Sequence, residues 1–146
     1  MFQKRALVVG VTGIVGLNVA EHLLQAGDWE VAGVSRRPPI GLSGVRSIKL
    51  DVLDASATRT ALADLDPTHI FFCTWTRGSN EAENIRLNGA MLSHVLDGVE
   101  RGRSLRHVAV VTGTKHYLGP FENYAKNKPV TPFREDQPRL PIACRA

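Results

Sequence analysis

The stretch that most restricts how this chain can fold is Gly10-Val11-Thr12-Gly13-Ile14-Val15-Gly16, three glycines at three-residue spacing. It joins an apolar run, Ala6-Leu7-Val8-Val9, to a segment in which Ile14, Leu17, Val19, Ala20, Leu23 and Leu24 recur at helical spacing until Gly27. A strand, a tight turn and a helix therefore follow one another. Glycine in such a turn lets the backbone come close to a pyrophosphate, and the helix that follows offers free N–H groups and its positive dipole end to the anion. Gly10, Thr12, Gly13, Ile14, Val15 and Gly16 are candidate nucleotide-binding residues on this ground. A turn of purely structural role is the competing reading, because glycine is common in turns.

The rest of the chain continues the alternation. Glu30 to Val34 reads as a second strand, Ser47 to Leu50 as a short third, and Ala55 to Leu65 as a helix capped by Asp54, with Pro67 closing it. His69 to Thr74 reads as a fourth strand, Glu81 to Val99 as a long helix and Leu105 to Thr112 as a fifth strand. This pattern predicts an α/β fold, a Rossmann-like doubly wound parallel sheet in the order 3-2-1-4-5. After Gly113, the residues Gly119-Pro120, Pro129, Pro132, Pro138 and Pro141 argue against any long helix or central strand. The expected organisation is a nucleotide-binding domain over 1–113 followed by a proline-rich active-site loop and tail over 114–146, without regular structure.

A chain of 146 residues that is 43% hydrophobic can bury the core of one compact domain. Its net charge of +4 is scattered, with no basic run longer than Arg36-Arg37 or Lys4-Arg5 and no interleaved aromatics, so no nucleic-acid partner is expected. Cys73 and Cys144 form neither a disulfide framework nor a metal cluster, which suits a reducing compartment. The apolar run after Met1-Phe2-Gln3-Lys4-Arg5 is too short for a signal peptide or a membrane span. A soluble, cytoplasmic protein is the expectation.

The end of the second strand is Val34-Ser35-Arg36-Arg37, where a carboxylate would select a free ribose 2′-hydroxyl. Arginine there suits a 2′-phosphate, so Ser35, Arg36 and Arg37 favour NADP(H), against the alternative of a solvated arginine pair. Asp51 and Val52 stand where an adenine amino group is met, or Asp51 simply leads a helix. Asn88, inside the long helix, could hold a water or a backbone carbonyl near a site, or could lie exposed. His94 and His107 have no partner legible in the sequence and read as ordinary surface or strand histidines. Thr112 and Lys115 fall at the end of the fifth strand, where open α/β sheets place their ligands; a lysine near a tyrosine lowers the phenol's pKa and can share proton-transfer work, or the segment is a packed loop.

Over nearly its whole length the sequence resembles the progesterone 5β-reductase/iridoid synthase-like branch of the extended short-chain dehydrogenases. The matching stretches are the glycine turn at 10–16, Ser35-Arg36-Arg37-Pro38, Thr74-Trp75, Glu83-Asn84, Asn88-Gly89, the string from Thr112 to Glu122 and Pro132 to Pro141. Lys115-His116-Tyr117-Leu118-Gly119-Pro120-Phe121-Glu122 is the specific part, whereas the glycine turn is shared by many dehydrogenases. The resemblance implies NADPH-dependent reduction of the C=C bond of a small-molecule enone or enal, with hydride delivered to the β-carbon and a tyrosine stabilising the enolate oxygen. It makes Lys115 the catalytic residue that assists that tyrosine, and adds Thr74, Trp75 and Thr112 to the cofactor residues. In the family Arg-Leu-Pro leads shortly to Asn-Phe-Tyr-Tyr, but here Ile142-Ala143-Cys144-Arg145-Ala146 follows Pro141. The expectation is thus an N-terminal part of a longer reductase, inactive alone, with the C-terminal part of the fold missing and homo-oligomer formation left open.

Tyr124-Ala125-Lys126-Asn127-Lys128 is a literal Tyr-x-x-x-Lys, but the prolines around it leave room for barely two helical turns, and we read it as coincidental. Two rival functions stand beside the reductase. They are a module that holds NADP(H) without turnover and an NAD-dependent epimerase or dehydratase, the latter disfavoured by the Lys-His-Tyr string.

Overall fold

A strand covered on both faces must be apolar at consecutive positions, and Ala6, Leu7, Val8 and Val9 of β1 (Lys4–Val9) are all buried. Around it the computed structural model places β2 (Trp29–Ser35), β3 (Val45–Lys49), β4 (His69–Phe72) and β5 (His107–Val110), all paired in parallel in the order β3-β2-β1-β4-β5. This is the order that the alternation of elements predicts. The structure describes residues 4–37, 41–113, 115–119, 125 and 128–138. They fall into two compact units, Met1–Val111 and Thr112–Ala146.

In the first unit, α1 (Ile14–Ala26) packs on one face of the sheet, and α2 (Ala55–Leu62) and α3 (Glu81–Gly98) on the other. The period of two along β1 sorts the core accordingly: Ala6 and Val8 meet Ala20 and Leu23 of α1, while Leu7 and Val9 meet Leu62, Met91 and Val95. Each fully buried side chain of this kind, Leu7 or Ile70 for example, contributes about 1.5–3 kcal/mol. Gly27, at φ 78°, ends α1 and donates its N–H to the Leu24 carbonyl. Asp54 caps α2 by accepting from the Ala57 amide at 2.9 Å, as its position predicts. Asn80 caps α3, and Glu83 returns the bond to the Ser79 amide and hydroxyl, both at 2.6 Å.

Several boundaries differ from the sequence-based expectation, each for a local reason. β2 and β3 start earlier, at Trp29 and Val45, because register with β1 and β2 recruits residues that look like turn. α2 stops at Leu62, short of Leu65, before Asp66 takes a positive φ of 38°. There the Asp66 carboxylate accepts from the Ser104 amide and hydroxyl at 3.0 and 2.7 Å and from Arg5 at 2.8 Å, tying the lower ends of β1 and β5 together. α3 stops at Gly98, one residue before Val99. β4 and β5 are shorter than expected because regular pairing ends at Phe72 and Val110, with single bonds from Cys73 to Val9 and from Val111 to Phe72 beyond.

The second unit contains α4 (Lys115–Leu118), a single turn in a stretch expected to have no regular structure. Pro120 bars its extension but not the four residues before Gly119. Tyr117 stacks on Phe133 with ring centroids 5.3 Å apart. Tyr124 lies outside the described residues, and Lys128 is not helical. Among the described residues no helix is long and apolar enough to cross a membrane, and no group of three or more side chains could hold a metal ion.

Candidate functional site

The chain runs from β1 outward to β3 on one side and then crosses to β4 and β5 on the other, so the loops after β1 and β4 leave in opposite directions. A crevice forms at such a reversal. Here it is a cleft of about 310 Å³ at the C-terminal ends of the strands. Gly10, Thr12 and Gly13 line it after β1, Ser35 at the end of β2 with Arg36 and Arg37 beyond it, Asp51, Val52 and Leu53 after β3, and Cys73 to Thr76 after β4, with Met91 reaching in from α3.

The glycine turn is built for close approach. Gly10 has φ 86°, and a Cβ there would stand 2.9 Å from Cβ of Thr74 and 3.1 Å from the Cys73 carbonyl. The Gly10 and Val11 amides both donate to the Val34 carbonyl, and the Gly13 amide donates to that of Gly10 at 2.9 Å. Gly13 is the N-cap of α1 and offers no side chain, and the first turn carries no acidic residue. The amides of Ile14, Val15 and Gly16 have no intrahelical acceptor, which makes this helix end suited to an anion. Neither Ile14 nor Val15 lines the cleft. Their side chains line a separate apolar groove with Asn18, Val19, His22 and Phe71, and that of Ile14 is 85% exposed. Gly16 packs against Gly10 and does not line the cleft.

At the end of β2 the buried Ser35 hydroxyl donates to the Arg37 carbonyl, closing a turn that presents Arg36 and Arg37 at the cleft. Both arginines are exposed, and neither is ion-paired among the described residues. Two unneutralised guanidiniums beside an uncapped helix end form a donor set that fits a phosphate-rich ligand.

Asp51 is not a helix cap. Its carboxylate accepts from the Leu53 amide at 3.0 Å and its carbonyl from the Asp54 amide at 3.0 Å, shaping the turn at the cleft edge. Val52 turns its side chain into the core, and its carbonyl accepts from Nδ1 of His94 at 2.9 Å. His94 therefore has a partner that the sequence does not show, and so does His107, whose ring centroid lies 6.3 Å from that of His69.

Thr74 and Trp75 form the opposite wall, with Trp75 63% exposed. Asn88 does not line the cleft but brackets Thr76. Its Oδ1 accepts from the Thr76 amide at 2.9 Å, and its Nδ2 donates to the carbonyls of Thr76 at 2.8 Å and Asn84 at 2.7 Å. Of the partners open to it, Asn88 takes a backbone carbonyl. Burial pushes the Cys73 thiol above its ordinary pKa, so it serves as a neutral wall. Cys73, Thr76, Leu53 and Met91 were not expected at the site, although Met91 follows Asn88 at i+3 on α3, a spacing that could have marked it. Thr112 is exposed in the second unit, and the side chain of Lys115 lies outside the described residues.

The family model described as the NAD dependent epimerase/dehydratase family matches residues 6–143. A 3-oxo-Delta(4,5)-steroid 5-beta-reductase of Arabidopsis thaliana is 46% identical over 97% of this chain and 39% of its own length. An (S)-8-oxocitronellyl enol synthase of Camptotheca acuminata is 46% identical over 94% of this chain and 38% of its own. The chain thus spans about two fifths of the length of these curated relatives. Among solved structures, the Bordetella bronchiseptica enzyme WbmG in complex with NAD superposes with a TM-score of 0.69 at 21% identity, covering 94% of this chain and 44% of that one. A likeness at that identity speaks for the fold.

Proposed function

We propose, from the premise that the chain belongs to the NAD dependent epimerase/dehydratase family, that its cleft holds NADP(H) for the reduction of an activated C=C bond in a small enone or enal. The observation that carries the cofactor reading is the meeting in one cleft of the N-terminus of α1, which has no side-chain cap, with Arg36 and Arg37, neither of them ion-paired among the described residues. The free amides of the first turn of α1, those of Ile14 and Val15 foremost, would take the pyrophosphate where Gly13 brings that helix end to the cleft, and Gly10 and Gly13 keep the backbone free of side chains there. Arg36 and Arg37 hold the 2′-phosphate while Ser35 fixes their turn. Thr74 and Trp75 form a wall of the cleft that would hold the remainder of the cofactor, and Asn88 holds that wall in place through Thr76. When bound, the reduced cofactor supplies hydride.

The substrate class rests on the 46% identity to proteins named as a steroid 5-beta-reductase and an 8-oxocitronellyl enol synthase. Lys115 is the residue proposed to assist proton handling at the substrate oxygen. Calorimetry tests the cofactor reading: NADPH binds about ten- to a hundredfold more tightly than NADH, the worth of one charge-assisted phosphate contact. Equal affinities, or preference for NADH, would sink it. Product analysis with NADPH and a small enal should show no turnover by these 146 residues alone, which span about two fifths of the curated relatives, and product formed by them would overturn that expectation.

A further inference from the structure

The geometry points to His94 as a positioning residue of the cleft, its Nδ1–H holding the Val52 carbonyl and through it the wall formed by Asp51, Val52 and Leu53. A carbonyl can only accept, so the ring carries its proton on Nδ1 in the neutral form. No backbone amide among the described residues donates to the Val52 carbonyl, because the Asp54 amide goes to Asp51 and the first amide bond of α2 runs from Thr58 to Asp54. Without His94 that partly buried oxygen loses its donor among the described residues, and the turn keeps the bonds made within itself by Asp51 and those by which Asp54 caps α2.

The placement on α3 explains why this matters at the cleft. Asn88, Met91 and His94 follow at three-residue spacing, so each steps back about 60° round the helix from the last. Asn88 ties down the loop after β4, Met91 lines the cleft between, and His94 ties down the loop after β3. One helix thus fixes two walls of the same cleft, and the wall that His94 fixes lies beside Arg36 and Arg37. This inference rests on the cleft being the nucleotide site, and it assigns the order of the adenosine end to His94.

The test uses an isosteric pair. Asn and Leu have the same shape as far as the δ atoms, and the amide nitrogen of Asn stands at the same remove from Cα as Nδ1 of histidine. His94→Leu should weaken both NADPH and adenosine 2′,5′-bisphosphate by about tenfold, since a loosened turn must be reordered on binding, and His94→Asn should recover most of the loss. Imidazole ¹⁵N spectra of the wild type should show the neutral Nδ1–H tautomer for His94. Wild-type binding left unchanged in a folded His94→Leu would overturn the role of His94 alone. Equal losses in folded Leu and Asn variants would also overturn it, as would an Nε2–H tautomer. Failure of the wild type to bind either probe would instead overturn the reading of the cleft.

Discussion

Gly16 lies so close to Gly10 that a Cβ built on Gly16 would stand 2.2 Å from the Gly10 carbonyl oxygen and 2.8 Å from its carbon. The first turn of α1 therefore rests directly on the turn that leaves β1, and the bond from the Gly13 amide to that same oxygen prevents either from moving away. Gly16→Ala should destabilise the chain by about 1–3 kcal/mol, the usual cost of overpacking. A lower urea midpoint with an unchanged m-value would show it, and an unchanged midpoint would mean that α1 slides freely.

Gly13 poses the opposite case. Its backbone, at φ −81° and ψ 162°, is ordinary extended geometry that a β-branched residue adopts, and a Cβ would meet only the Gly10 carbonyl oxygen, at 3.3 Å. Gly13→Val should leave the far-ultraviolet dichroism nearly intact while standing in front of the free amides of α1. The expected loss of NADPH affinity is about tenfold or more, the worth of the anion contacts displaced. Wild-type affinity in the folded variant would show that the glycine serves the turn alone.

These two glycines also show what a sequence discloses. The turn, the apolar strand β1 and the periodicity of α1 are local signals, and the order of the sheet follows from the alternation of elements. The difference in duty between Gly13 and Gly16 was not legible, because it depends on which of them faces another piece of backbone. Arg36 and Arg37 were recognisable from their position after β2. The partner of His94 was not, since it lies 42 residues away and is a backbone carbonyl, which carries no residue-type signature. The same holds for the start of β3, which is set by register with β2 and not by its own composition.

Asn88 makes three hydrogen bonds, two of them to the backbone of Thr76. Asn88→Leu keeps the volume and removes them all, leaving a partly buried amide and carbonyl without partners at about 1–3 kcal/mol each when fully desolvated. The expected result is a lowered melting temperature, with amide hydrogen exchange speeding up at residues 74–78 more than in β1. Uniform acceleration across the sheet would show instead that Asn88 supports the whole fold.

His69 predicts how stability varies with pH. Burial in the first place, and then the charges of His107, Arg106 and Lys4, hold its imidazole below the ordinary value of 6.5. The unfolded chain therefore takes up the proton at higher pH than the folded one does. Stability is fully present above about pH 6.5, declines as pH falls from there to the lowered folded value, and then levels off. Asp66, whose carboxylate is lowered by the Ser104 hydroxyl and amide and by Arg5, titrates well below this window. Urea midpoints between about pH 7.5 and 5.5 should fall for the wild type and fall less for His69→Phe, which keeps an aromatic ring beside Trp29. Because the His69 ring meets Trp29 edge-on at 4.8 Å, its protonation should also quench Trp29 emission, best read in Trp75→Phe to silence the exposed tryptophan. A midpoint slope that is the same with and without His69 would place the titration elsewhere. Quenching that persists in His69→Phe would show that His69 is not the quencher.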